Sequence, residues 1–255
     1  MQVSGRLAIL ALVVVGVVVS GAAARQPGAP APVAAPMKTK VNPKDGLTYV
    51  WIPPGSFQMG CSHDDSQCEK DEKPAHAVKL TQGFWIGQTL VPQAAYQKVV
   101  GTNPSMFKGD ALPVDYVSWD DAAAYCKKVD MRLLSEAEYE YAARGASPAA
   151  RYAPLGEIAW YSADSMGTTH AVRGKRANRY GLYDMLGNLW VWTADWYGRY
   201  TAEDAVDPKG PATGPAGVLR GGSWRNDASR IRASARLTDG RANQFYEYGI
   251  RCAGD

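Results

Sequence analysis

RYGLYDMLGNLWVWTADWY (179–197) and VLRGGSWRNDASRIRASAR (218–236) set the character of the chain. The first scatters Gly, Asn and Trp with no sustained hydrophobic period, and the same holds across residues 146–217. That pattern predicts long ordered loops pinned by large aromatics. The composition agrees: eight Trp and fourteen Tyr stand against four Phe. Trp and Tyr bring apolar area with a polar tip that can bind loop carbonyls. The second stretch alternates over Val218–Trp224 and again over Arg230–Arg236, which predicts strands, as does Tyr248–Ala253.

Regular elements are easier to read toward the N-terminal side. Leu47–Met59 alternates around Pro53-Pro54-Gly55, predicting two short strands and a turn; Ala77–Gln88 predicts a strand pair broken at Gly83. Pro92 begins a predicted helix that runs through Val100 and ends at Gly101. Ser118, with Asp121 three residues on, caps a helix to Val129, and Ser135-x-x-Glu138 opens another that ends at Gly145. The class is α+β, loop-rich with little regular secondary structure.

The chain start is different material. Leu7–Val19 is apolar or Gly throughout, follows Arg6, and leads to Ala22-Ala23-Ala24. This predicts a signal peptide over 1–24 and an exported protein, periplasmic or extracellular. An uncleaved anchor is the alternative, since Leu7–Ala24 reaches the lower limit of a spanning helix. Residues 25–45 contain Pro27, Pro30, Pro32, Pro36 and Pro43 and read as an extended linker. One domain then fills 46–255. Over the full chain, 46% hydrophobic and 21% charged residues exclude a disordered protein, and a net charge of +3 is too small to point to nucleic acid. With the signal removed, no membrane association is expected, and a monomer is.

Eight segments in order carry a resemblance: GSFQMG (55–60), DEKPAHAVKL (71–80), FWIGQTLVPQAAYQKVVGTNPS (84–105), PVDYVSWDDAAAYC (113–126), RLLSEAEYEYAARG (132–145), then 179–197, 218–236 and YGIRCA (248–253). Together they resemble the formylglycine-generating enzyme, or sulfatase-modifying factor, family. The resemblance implies that family's compact fold, distantly similar to C-type lectin domains. It also implies oxidation of a substrate cysteine with O₂ and copper(I) held by two cysteines, soft ligands for a soft ion. Here Gly221–Arg230 contains no cysteine, and Asn226 stands nearest the first ligand position. Copper is therefore not expected. Trp190 and Ser223 match residues that line the family's pocket.

The resemblance also implies a Cys126–Cys252 disulfide. Cys61 and Cys68 flank a short acidic loop and form the natural second pair. A metal cluster of Cys61, Cys68, His63 and His76 is the alternative, although its spacing matches no common zinc site. The family's calcium site falls on Asp184 with carbonyls of Gly187 and Leu189, but Val191 replaces its Glu ligand. Loss of a carboxylate predicts a weakened or vacant site. Among the C-terminal arginines, Arg232, Arg236 and Arg251 read as scaffold. Trp190, Ser223, Trp224, Arg225, Asn226, Asp227 and Arg230 are the candidate ligand pocket. The function expected is a ligand- or protein-binding homologue without copper, its ligand small or an exported protein or peptide. The alternative is an oxidoreductase of the formylglycine-generating type, or a family enzyme of altered chemistry.

Overall fold

In the computed structural model of the chain, residues 1–2 and 37–255 are described. The expected signal segment, beyond its first two residues, lies outside them, as does the linker up to residue 36. Among the described residues no helix is long and apolar enough to cross a membrane.

Both capping boxes form. Helix α1 spans Gln93–Val100, α2 Trp119–Lys128, α3 Glu136–Arg144 and α4 Leu155–Ile158. At α2 the Ser118 hydroxyl accepts from the Asp121 amide at 3.1 Å, and the Asp121 carboxylate accepts from the Ser118 amide at 3.0 Å. At α3 the same exchange joins Ser135 and Glu138 at 3.1 and 2.8 Å. Such caps satisfy amides that a helix start leaves unbonded, at about 1 kcal/mol each. Gly101 and Gly145 end α1 and α3 in the left-handed conformation.

Twelve strands occur among the described residues: β1 (Thr39–Val41), β2 (Thr48–Ile52), β3 (Gly55–Met59), β4 (His76–Leu80), β5 (Phe84–Gly87), β6 (Arg132–Leu133), β7 (Trp190–Trp196), β8 (Ala205–Val206), β9 (Gly217–Arg220), β10 (Arg236–Asp239), β11 (Tyr248–Gly249) and β12 (Cys252–Gly254). They form a five-stranded sheet ordered β1-β2-β5-β12-β6, a four-stranded sheet β10-β9-β7-β11 and a three-stranded sheet β3-β4-β8. Helix α3 packs on β9, β3 and β7 and is buried at all positions but one.

Three expectations are corrected. The linker does not run to residue 45: β1 pairs antiparallel with β2, the Asn42 amide donates to the Val129 carbonyl at 2.8 Å, and buried Asp45 accepts from the Tyr49 hydroxyl at 3.0 Å. Past Pro36 only Pro43 interrupts the chain, which leaves Thr39–Val41 free to add a strand. Strand β7 lies inside the stretch expected to be loop. It is covered on both faces, with Trp190 and Trp192 in one core cluster and Val191 in the other, so it lacks the alternation of a half-exposed strand. Conversely, residues 230–235 do not form a strand. Ala228–Arg230 is a short 3₁₀ turn and pairing begins only at Arg236, because the Arg232 side chain turns inward to Glu72 and Asp65.

Candidate functional site

A buried lattice of arginines and carboxylates holds the ground beneath the GGSW turn. Arg220 ends β9 fully buried, with Nη1 3.0 Å from Glu136 Oε1 and Nη2 paired with Glu140. Arg236 Nε donates to Glu136 at 2.7 Å, and Arg144 Nη2 to Glu140 at 2.7 Å. Arg232 joins Glu72 at 2.5 Å, while Arg251 donates to the carbonyls of Gly87 and Tyr183, both at 2.6 Å. The three arginines read as scaffold are therefore scaffold. Arg220 belongs with them.

After Arg220 the chain turns through Gly221 and Gly222, both at positive φ. A Cβ on Gly221 would lie 2.4 Å from the Tyr139 hydroxyl, so the turn needs glycine there. The turn delivers Ser223, fully buried, whose amide donates to Asn226 Oδ1 at 2.9 Å. The Ser223 hydroxyl lies 2.5 Å from Glu247 Oε2 and 3.1 Å from Asn226 Oδ1. One proton cannot serve both, and the shorter contact gives it to Glu247. Arg225 is exposed; its Nη1 meets the Tyr246 hydroxyl at 2.5 Å. Trp224 donates from Nε1 to the Tyr246 carbonyl at 3.3 Å and meets the Phe107 ring edge-on at 5.6 Å. Asp227 accepts from the Ser229 hydroxyl and caps the 3₁₀ turn by accepting from the Ser229 amide, and these bonds hold its carboxyl below the usual range. Trp190 is buried with the Arg230 guanidinium 5.7 Å from its ring centre, and Arg230 is tied to Glu69 and the Arg236 carbonyl.

The candidate residues thus divide. Ser223, Trp224, Arg225 and Asn226 meet around Glu247, Tyr246 and Phe107, whereas Trp190 and Arg230 pair beside them within the scaffold. Glu247 is the member of this candidate site that sequence reading missed. Its bond to Ser223 spans 24 residues, and its only local signal is an acid standing in a basic stretch.

Around this turn several large apolar side chains are exposed. Of the seven exposed large hydrophobic residues described, Met106, Tyr116, Met166 and Phe245 adjoin it. Met106 precedes Phe107. The Tyr116 amide donates to the Phe245 carbonyl at 3.1 Å, and Ser165, beside Met166, donates from its hydroxyl to the Trp224 carbonyl at 2.7 Å. Tyr116 and Met166 both sit at positive φ (62° and 52°), a conformation side chains other than Gly seldom adopt. Clustered apolar exposure of this kind marks binding surfaces.

Two carboxyls are pushed up by burial: Asp115, beneath the Met106–Tyr116 part of this face, to about 6, and Asp195, which accepts from the Glu136 amide, to about 7. Both ordinarily titrate near 3.8. Below that value both states are protonated; between it and the raised value only the folded state holds the proton. Stability is therefore lost as pH rises through the window from about 4 to about 7. Thermal unfolding should give a higher Tm at pH 5.5 than at pH 8. Asp195→Asn should flatten that dependence, and an unchanged slope would contradict the assignment.

All four cysteines are bonded, as Cys61–Cys68 and Cys126–Cys252. This corrects the metal-cluster alternative, since no thiolate remains for it. His63 is exposed against Asp64, and His76 packs edge-on to Tyr200. The calcium ligand set does not fit either. Asp184 Oδ2 accepts from the Arg173 amide at 2.9 Å and Oδ1 faces the Asn188 amide nitrogen at 3.4 Å, while Val191 is buried in the apolar core. Donor groups already surround the carboxylate where a cation would need oxygens.

Comparison with known proteins agrees with this fold. The family model described as a sulfatase-modifying factor enzyme 1-like domain matches residues 34–255. The formylglycine-generating enzyme of Streptomyces coelicolor is 30% identical over 92% of this chain and 95% of its own length. The serine/threonine-protein kinase pkn1 of Chlamydia pneumoniae is 40% identical over 85% of this chain, which spans only 39% of that protein. Among solved structures, PvdO from Pseudomonas aeruginosa superposes with a TM-score of 0.77 at 27% identity, covering 87% of this chain and 99% of its own. With the eight ordered segments, the loop-rich α+β architecture and a matching domain over nearly all described residues, the chain belongs to the sulfatase-modifying factor family.

Proposed function

We propose that this chain is an exported member of the family that works without copper and binds an exported protein or peptide on the face around Ser223. The observation that carries the reading is chemical. Gly221–Arg230 holds no cysteine, Asn226 Oδ1 is engaged by the Ser223 amide, and every cysteine of the chain is in a disulfide. An amide oxygen is a poor ligand for copper(I), which favours thiolates. Disulfides persist in oxidising compartments, and the apolar run Leu7–Val19 supports export. The open spread of Met106, Tyr116, Met166 and Phe245 suits a polypeptide better than a small molecule.

The direct test supplies the protein with copper, air and a cysteine-bearing sulfatase peptide. Mass spectrometry should recover the peptide with its thiol unchanged; an aldehyde product would overturn the reading. Calcium is no part of the site in this reading. Titration calorimetry on chelator-treated protein should give no heat of calcium binding, and a rise in Tm with calcium would contradict it.

An enzyme of altered chemistry is the second reading, and the Ser223–Glu247 contact at 2.5 Å favours it. A carboxylate so placed can draw the hydroxyl proton. Ser223→Ala would then abolish turnover of a bound ligand while leaving its binding intact.

A further inference from the structure

Strand β3 and helix α3 border a cavity, open to solvent on one side, that shares no residue with the Ser223 face. It measures 580 Å³ and is lined by Phe57, Tyr141, Tyr180, Arg144, Ser62 and Pro148, among others. That volume falls within the range of small-ligand sites, roughly 300–1,000 Å³.

Three aromatic rings make up much of the wall. Phe57 and Tyr141 lie 5.3 Å apart between centres at 46°, and Tyr141 and Tyr180 lie 6.1 Å apart at 50°. The rings are tilted rather than stacked, so their faces and edges remain available to a further ring. Gly55 holds this wall in place: a Cβ there would come within 2.2 Å of the Tyr141 hydroxyl. Both Phe57 and Tyr180 pack against the main core cluster, so the wall is anchored rather than borne on a free loop.

Charge limits what can enter. Arg144 is the lining cation, and its donors are spent. Nε and Nη2 bind Glu140 Oε1 at 2.9 and 2.7 Å, Nη1 binds the Ser62 hydroxyl at 2.9 Å, and Nη2 also binds the Gly60 carbonyl at 2.6 Å. His63 at the rim is fully exposed and faces Asp64. An ionic ligand would give up part of its hydration against the rings without gaining a counter-charge. We propose that this cavity is a second binding site, which takes an uncharged aromatic small molecule against Phe57, Tyr141 and Tyr180. Gln58 and Ser147 on its lining supply the few polar contacts that would orient such a ligand.

The test uses two probes that differ chiefly in charge: neutral N-phenyl-1-naphthylamine and its sulfonated counterpart, 1-anilinonaphthalene-8-sulfonate. The neutral probe should bind saturably at one per chain, at least tenfold more tightly than the sulfonate. Gln58→Trp and Ala75→Trp, at exposed lining positions on different strands or loops, should each weaken it at least tenfold with Tm unchanged. No saturable binding by the neutral probe would overturn the site. Equal affinity for both probes would overturn the ligand class. Undiminished binding in both folded variants would overturn the location. If either variant loses Tm, the other and the two-probe comparison on the unaltered protein still decide.

Discussion

Glu140→Gln is expected to lower the free energy of unfolding by about 3–5 kcal/mol, the cost of breaking a buried ion pair from one side. Glu140 is fully buried, and its two oxygens serve Arg144, Arg220 and the Gly60 amide. Glutamine keeps the shape and removes the charge. Arg144 would then be left with neutral acceptors alone, while Arg220 and Arg236 would share the single carboxylate of Glu136. Against a total stability of roughly 5–15 kcal/mol, such a loss threatens folding itself. Urea unfolding measures it, with Glu157→Gln as the reference. The Glu157–Arg176 pair is exposed on both sides, with relative side-chain areas of 52% and 66%, and its loss should cost under about 1 kcal/mol. A Glu140→Gln protein as stable as the reference would show that the lattice is not what holds α3 to β9.

Replacing Cys126 and Cys252 together by Ala is expected to cost about 5 kcal/mol, because that bond closes a loop with a separation of 126 residues. The same change at Cys61 and Cys68, separated by seven, should cost about half as much. The ratio follows from the chain entropy that each crosslink removes from the unfolded state, which grows with the logarithm of loop length. Paired urea titrations of the two double variants decide it. Equal losses would mean that local packing, not loop closure, sets the contribution of each bond.

The parts of this molecule legible in its sequence are those whose causes are local. Ser118 and Ser135 announce α2 and α3 because a capping box is complete within four residues. The C-terminal glycines of α1 and α3 were legible for the same reason. Strand β7 was not, because burial on both faces erases the alternation that marks a strand. The arginines of 230–236 mimicked alternation while their side chains reached carboxylates far away in sequence. The candidate face around Ser223 is the clearest case. Ser223 and Asn226 stood out beside the GGSW turn, but Glu247, Phe107 and Tyr116 come from three other segments that meet only in the folded chain. Exposed Met106 and Met166 carry no pattern at all until their neighbours are known.

Strand β12 lies between β5 and β6 inside the five-stranded sheet. Its partners are synthesised far earlier, so each presents an unpaired edge until Cys252–Gly254 arrives. A chain threaded through a translocation pore from its N-terminus would therefore stay open-edged for almost its whole passage. Edges left waiting in this way are where the unfinished chain is most prone to pair with another copy.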